Sequence, residues 1–370
     1  MNEKVIFKGF SKNDTLNNVL VPISLKADKV IFFSREEYSL KVVEGCKEVL
    51  NSRGIEDIEF ILICDEKNEL DDYFNKYPNA LVDMTGSRYI LLRLFEQAQK
   101  HHNDVYYYDS EDNCIKSYHS HGCYKEKVPS LSIKELITLS GGKIVSNIHR
   151  HPELKNNEIN EAIVKMVENN LDNYSEFIAF VNVVNKIIVK EEDTLTHPLT
   201  KEEFNRLKQQ PILQQALKLN LFNLNKDSLN FDNHVKQQLF LVAGTWLESY
   251  LYLKLKENNY FNDVMMSVVI DFSEKHDRRF PVICEIDVLA SHLNALYFIS
   301  CKSNKVDTNA LNEIKIHNTM FGNDLSKPVI CTLEDLRNCN INIYQKAQEL
   351  GIVVIDLEIV KNQRIYSMFE

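Results

Sequence analysis

The stretch Val282-Ile283-Cys284-Glu285-Ile286-Asp287-Val288-Leu289-Ala290, followed after residues 291–294 by Ala295-Leu296-Tyr297-Phe298-Ile299-Ser300-Cys301-Lys302, decides how this chain is read. Two apolar runs of strand length around a short polar turn make a β-hairpin. Side chains alternate along a strand, so Val282, Cys284, Ile286 and Val288 are expected on one face, and Ile283, Glu285, Asp287 and Leu289 on the other. Ser300 and Lys302 share a face by the same rule. Carboxylates avoid a strand this apolar, because burying a charge without a partner is costly. One reading is a cross-strand Asp287–Lys302 ion pair, worth about 0.2–1 kcal/mol. The other is metal-assisted phosphodiester hydrolysis. Hard carboxylates hold Mg²⁺ or Mn²⁺, the ion polarises the phosphate and acidifies a bound water, and lysine stabilises the developing negative charge. The hairpin spacing, a preceding helix with Glu248 and a following helix favour the site.

Around the hairpin the last third reads as a small α/β unit. A long helix is expected over 234–256, strands over 264–272, 282–290, 295–301, 327–332 and 352–355, and helices over 309–320 and 344–350. The first third alternates apolar runs (4–7, 29–33, 57–64, 80–84, 104–108) with amphipathic segments (36–52, 66–77, 89–100), the pattern of βαβ units on a parallel sheet. Such sheets bind ligands beyond the carboxyl ends of their strands. Two loops stand there. Asp83-Met84-Thr85-Gly86-Ser87-Arg88 offers backbone N–H groups, hydroxyls and a cation to an anion; local chemistry favours an ordinary turn with Thr85 or Ser87 as helix cap, which explains the same residues. Ser11-Lys12-Asn13-Asp14-Thr15 is similar, with Asp14 or Ser11 as the cap. From about 129 to 232 the pattern is mostly helical, with one strand-like piece over 177–189 and a break at Thr194-Leu195-Thr196-His197-Pro198. His149-Arg150-His151 reads as a solvated helix end rather than a phosphate contact.

Composition bounds the function. With 370 residues, two or more domains are expected. Apolar residues at 44% and charged residues at 26% suit a globular protein with a sizeable core. No apolar run is long enough to span a bilayer, and residues 1–12 lack the apolar core of an export signal, so a cytoplasmic protein is expected. The net charge of −10 excludes a nucleic-acid-coating protein, so phosphates must be met by a local basic surface. Lys275-His276-Asp277-Arg278-Arg279 is one such turn, with a solvated hairpin as the plain alternative; Lys305 and Lys315 are further candidates. The eight cysteines lack CxxC spacing; Cys64, Cys284, Cys301 and Cys331 sit in strand-like runs as buried free thiols. His119, His121 and Cys123 lie close together, but without a fourth zinc ligand they read as a loop. The ten glycines build neither GxGxxG nor GxxxxGK, and HExxH and GxSxG are missing.

Glu285-Ile286-Asp287-Val288, the hairpin and Ile299-Ser300-Cys301-Lys302 together resemble the PD-(D/E)xK restriction-endonuclease-like core. Gly244-Thr245-Trp246-Leu247-Glu248-Ser249-Tyr250 resembles the preceding helix in CRISPR-associated effectors that join an N-terminal CARF sensor to a C-terminal nuclease. The resemblance covers nearly the whole chain and is weakest between about 129 and 232. It implies an α/β protein: a Rossmann-like CARF domain over 1–128, a mostly helical connecting region over 129–232 and a restriction-endonuclease-like domain over 233–370. It implies a homodimer that binds cyclic oligoadenylate, cyclic tetra-adenylate first, through Ser11, Asn13, Thr15, Thr85, Gly86, Ser87 and Arg88. It also implies cleavage of DNA, RNA or both in type III CRISPR antiviral defence. Asp287, Lys302, Glu285 and Glu248 would be catalytic, with Mn²⁺ or Mg²⁺ held by Asp287, Glu285 and the Cys301 carbonyl. Arg278, Arg279 and Lys305 would meet substrate. Ser300 stands where the broad pattern has an acidic residue, and Ser87-Arg88 stands where the sensor loop is usually richer in glycine and contains lysine. The alternatives are a ligand-sensing regulator that binds nucleic acid on an inactive nuclease fold, and a plain α/β scaffold.

Overall fold

The computed structural model describes residues 3–37, 39–64, 66–86, 88–119, 125–145, 156–257, 259–273, 283–303 and 305–369. The N-terminal sheet contains β1 (Val5–Gly9), β2 (Lys29–Ser34), β3 (Asp57–Leu62), β4 (Leu81–Asp83), β5 (Val105–Asp109), β6 (Cys114–Ser117) and β7 (Lys125–Lys127). The order is β3-β2-β1-β4-β5-β6-β7, parallel as far as β5 and antiparallel beyond it. Helices α1 (Leu20–Ser24), α2 (Leu40–Ser52), α3 (Glu66–Lys76) and α4 (Arg88–His101) connect the parallel strands. The central strands are apolar on both faces because both are covered. Val5, Phe7, Ile31 and Phe33 pack with α3 and α4, while Ile6, Val30 and Phe32 pack into a second core. Strand order reverses between β1 and β4, which places the crevice of a doubly wound sheet at their carboxyl ends.

The next stretch supplies α5 (Ile133–Leu139), begun by a reciprocal Ser132–Glu135 capping box, and the two-residue strand β8 (Lys143–Ile144). It continues with α6 (Asn157–Asn169), α7 (Tyr174–Ile188), α8 (Lys201–Lys208) and α9 (Leu213–Lys218). A small antiparallel sheet joins β9 (Thr196–Pro198), β10 (Asn223–Leu224) and β11 (Ser228–Asn230). The strand expected over 177–189 is instead α7. Tyr174, Phe177, Ile178, Val181, Val184 and Ile188 bury one helical stripe, and Phe180, Val183 and Ile187 a second. A helix buried on two sides is nearly continuous in apolar sequence, so periodicity alone does not separate it from a core strand.

The C-terminal unit opens with α10 (His234–Leu241) and α11 (Thr245–Glu257). These were expected as one helix, but Val242 is extended at φ −133°, ψ 123° and breaks it. Strands β12 (Asp263–Asp271), β13 (Ile283–His292) and β14 (Ala295–Lys302) follow. After them come α12 (Thr308–Phe321), β15 (Lys327–Thr332), α13 (Leu336–Cys339), α14 (Ile341–Glu349), β16 (Val353–Ile355) and α15 (Leu357–Lys361). Their sheet runs β16-β15-β14-β13-β12-β8; the meander β12-β13-β14 is antiparallel and β14-β15-β16 parallel. The β13–β14 turn places Leu293 and Asn294 at φ 47° and 66°, the left-handed pair that a two-residue hairpin loop requires.

One face of this sheet shares a core with α7, α11 and the helices around them, through Phe177, Trp246, Leu251, Val288 and Ile299. The other face packs on α12, and its core runs without interruption through α5 into the N-terminal sheet, linking Phe298, Ile314, Ile137 and Ile6. Helix α5 is wedged between the halves. A Cβ on Gly45 of α2 would lie 2.1 Å from the Thr138 carbonyl oxygen, and one on Gly142 would lie 2.9 Å from Ile270. Lys41 Nζ donates to the Phe272 carbonyl at 2.8 Å, Ser140 Oγ to that of Phe321 at 2.7 Å, and Arg53 forks onto Glu135 at 2.6 and 2.8 Å. Cys301 and Cys331 are buried and Cys284 half-buried, as free thiols. Cys64 is exposed, contrary to expectation, because β3 ends at Leu62. No described helix is long and apolar enough to cross a membrane.

Candidate active site

The site is built where two strands part. The β13–β14 ladder runs from His292 opposite Ala295 to Val288 opposite Ile299. Beyond that, β13 stays paired with β12 as far as Ile283, and β14 with β15 as far as Lys302. A side chain bridges the fork: Asp287 Oδ2 accepts the Cys301 N–H at 2.7 Å and the Ser300 hydroxyl at 3.2 Å.

The strict alternation expected for β13 fails at this residue. Cys284 and Ile286 pack with the α12-side core, whereas Val288 and Ala290 pack with the α11-side core. On β12 the same reversal separates Val264 from Val268 and Ile270, and Ser267 between them has φ 52°, a left-handed value that marks a local kink. Asp287 therefore sits at a twist from which both faces are within reach. Val282, the remaining member of the expected face, lies outside the described residues.

Four charged groups gather here. Asp287 and Lys302 are half-buried, Glu285 is exposed, and Glu248 on α11 is buried. Burial, with the Asp287 and Glu285 carboxylates adding to it, pushes the Glu248 carboxyl up to about 8; Lys302 opposes the shift. Burial also raises Asp287, against the Cys301 N–H, Lys302 and Ser300, which favour its ionised form. Gly244 makes room for Glu248, since a Cβ there would lie 3.0 Å from its Oε1.

Among the described residues, no three His, Cys, Asp or Glu side chains are grouped to hold a metal ion. The donors still suit one hard cation held by fewer side chains and a backbone oxygen. Within a strand, the N–H and C=O of one residue lie on the same side, so the Cys301 carbonyl turns toward the fork with its N–H. Asp287 keeps Oδ1, and mutual repulsion among Glu248, Asp287 and Glu285 is charge that a divalent cation would offset.

Helix α12 closes the other side. Glu313, Ile314 and His317, at i, i+1 and i+4, line a cleft of about 30 Å³ together with Glu285, Asp287 and Lys302. The sequence reading missed Glu313 and His317; the available signal was one turn of separation on the helix after the hairpin. Lys305 is exposed beyond β14 and does not line this cleft. Arg278 and Arg279, with the rest of their turn, lie outside the described residues.

At the N-terminal crevice, Lys8 on β1 and Asp83 on β4 are both fully buried and paired at 2.5 Å. Lys8 Nζ also donates to the Thr85 carbonyl at 2.9 Å, and Asp83 Oδ1 accepts the Thr85 N–H at 2.8 Å. This pair fixes the loop after β4. Thr85 Oγ1 accepts the Tyr108 N–H at 2.8 Å, so Thr85 ties the loop to β5 rather than capping α4. Ser11 Oγ accepts the Asp14 N–H at 3.1 Å, turning the first loop on itself, and Thr15 makes no side-chain cap. The two loops meet: Gly86 has φ 108°, and its absent Cβ would lie 3.8 Å from that of Ser11. Ser11 and Asn13 line a cleft of about 870 Å³ with Lys12, Ser34, Arg35 and Cys64. Arg88 opens α4; Ser87, residues 120–124 and His149-Arg150-His151 lie outside the described residues.

Residues 235–361, which include every group at the fork, match the family model of the Card1-like endonuclease domain. No curated protein matches the chain. Among solved structures it is similar to protein VC1899 from Vibrio cholerae, at 17% identity and TM-score 0.79 over 98% of this chain and 97% of that one. It is similar to Can2 from Sulfobacillus thermosulfidooxidans, solved in complex with cyclic tetra-adenylate, at 18% identity and TM-score 0.74 over the full length of both. A third is a type III CRISPR defence DNA nuclease activated by cyclic oligoadenylate, at 12% identity and TM-score 0.54 over 90% of this chain and 45% of that one. At these identities the likeness carries the fold alone: a doubly wound N-terminal sheet and a mixed C-terminal sheet in one chain.

Proposed function

We propose that this protein is a metal-dependent endonuclease of type III CRISPR antiviral defence, switched on by cyclic oligoadenylate, with cyclic tetra-adenylate its first ligand, and cleaving DNA, RNA or both. The observation that carries it is the convergence of Glu248, Glu285, Asp287 and Lys302 at the β13–β14 fork, inside the segment that matches an endonuclease domain. The full-length likeness to a protein solved with cyclic tetra-adenylate supports the activator.

Asp287, Glu285 and the Cys301 carbonyl would hold Mn²⁺ or Mg²⁺, which when bound polarises the phosphate and acidifies water. The chain's own residues do the rest. Ser300 and the Cys301 N–H orient Asp287, and the Lys302 ammonium stabilises charge building on the phosphate oxygens. Buried Glu248 adds a carboxylate that ionises when a cation is present. Activator would lie over Ser11, Asn13, Thr15, Thr85, Gly86, Ser87 and Arg88, at the crevice between β1 and β4. Residues 1–128 act as the sensor, 129–232 as the connecting region and 233–370 as the nuclease, in a cytoplasmic homodimer. Arg278, Arg279 and Lys305 meet the substrate backbone. Binding shifts the population of the working arrangement.

The test is cleavage of labelled DNA and RNA with Mn²⁺, with and without cyclic tetra-adenylate, on wild type and Lys302→Ala. Activator-dependent cleavage by wild type is expected, lost by ~10²-fold or more in Lys302→Ala with the activator's stabilising effect on melting intact. Equal cleavage with and without activator removes the switch. Ser300 and the missing third carboxylate favour one rival, a regulator that binds nucleic acid without cutting it; activator-dependent binding with no cleavage would establish it.

A further inference from the structure

We propose that His317, on the wall that α12 sets against the β13–β14 fork, is a catalytic residue that takes the proton of the water attacking the phosphodiester; this rests on the nuclease reading above. The cleft between helix and fork, at about 30 Å³, exceeds the ~10–15 Å³ that a water molecule requires, and its polar walls can supply the partners such a water needs.

Those walls differ in what they can accept. Lys302 only donates. Asp287 commits Oδ2 to Cys301 and Ser300, and its other oxygen belongs to the proposed cation site. Glu285 is exposed and, like Asp287, belongs to the proposed cation site. An imidazole has the proton affinity that acid–base work near neutral pH requires. Glu313 lies one turn before it on the same helix face, placed to stabilise the imidazolium once the proton arrives.

The charged groups facing His317 are Glu313 on its own helix, Asp287 and Glu285 on β13, and Lys302 on β14. Burial lowers the ring's proton affinity, with Glu313 and Asp287 opposing and Lys302 adding to it. In the step, the water oxygen bonds to phosphorus as the P–O bond to the departing strand end breaks. The water's proton passes to His317, and the departing alkoxide takes a proton from solvent. His317 then returns its proton to bulk water.

The test follows Mn²⁺-supported, activator-stimulated cleavage from about pH 5.5 to 8.5 in wild type, His317→Gln and His317→Ala. His317→Gln should lose ~10²–10⁴-fold in rate and the acidic limb of the profile, while cyclic tetra-adenylate still raises its Tm as in wild type. Added imidazole should restore part of the activity of His317→Ala. The proposal is overturned if His317→Gln keeps the wild-type pH profile, whatever its rate, or if imidazole restores nothing to a folded His317→Ala. Wild type that binds activator yet never cleaves overturns the nuclease reading itself.

Discussion

Asp287 accepts the backbone N–H of Cys301 at 2.7 Å at the place where their strands cease to pair. A carboxylate oxygen stands in for a missing rung of the ladder, so the group read as a cation ligand is also part of the sheet. Its structural and chemical duties can be separated by substitution.

Asp287→Asn keeps an oxygen for Cys301 and loses the charge; Asp287→Ala loses both. Both variants should fail to cleave. Only Asp287→Ala should also unfold more easily, by about 1–3 kcal/mol, the cost of leaving a buried donor unpaired. Urea unfolding of the two, compared with wild type, checks this.

Glu248 sets a pH dependence on stability. Its carboxyl is pushed up to about 8 in the fold, against an ordinary value of 4.5. Between those values the folded chain keeps a proton that the unfolded chain releases, so stability from this group falls as pH rises. Glu248→Gln removes the slope. Without divalent cations, the variant should melt higher than wild type at pH 8, and at the same temperature near pH 4.5.

Lys8→Met leaves the fully buried Asp83 without its cation. Breaking such a pair costs about 3–5 kcal/mol. The double variant with Asp83→Asn, which still accepts the Thr85 N–H, should recover much of that loss. Melting scans test the stability, and loss of the cyclic tetra-adenylate shift in both variants tests the loop's part in binding.

Gly45→Ala reverses a usual sign. In an exposed helix the change gains about 1 kcal/mol. Here the new methyl would meet the Thr138 carbonyl at 2.1 Å, so α2 and α5 must separate, at a cost of about 1–3 kcal/mol. Activator should still bind, but the ratio of cleavage with and without it should fall.

Much of this was legible in the residues themselves. The five parallel strands, the hairpin and the helices around them follow from short apolar runs separated by amphipathic segments. Asp287, Lys302 and Glu248 are noticeable because charge in an apolar strand, or on a helix leading into one, demands a reason. What stayed hidden depends on tertiary placement. Helix α7 passes for a strand because neighbours cover it on two sides. The reversal of faces at Asp287 depends on the backbone of Ser267 on another strand. Lys8 and Asp83 are 75 residues apart and meet only once β1 and β4 pair. His317 counts because α12 folds back over the fork, which no local pattern announces.

The apolar interior that joins Ile6, Ile137 and Phe298 has a practical corollary. Calorimetry should record a single endotherm, since among the described residues one apolar core spans both halves. Scission ahead of α5 would strip both fragments of a shared wall, and each would be prone to aggregate rather than persist as a working piece.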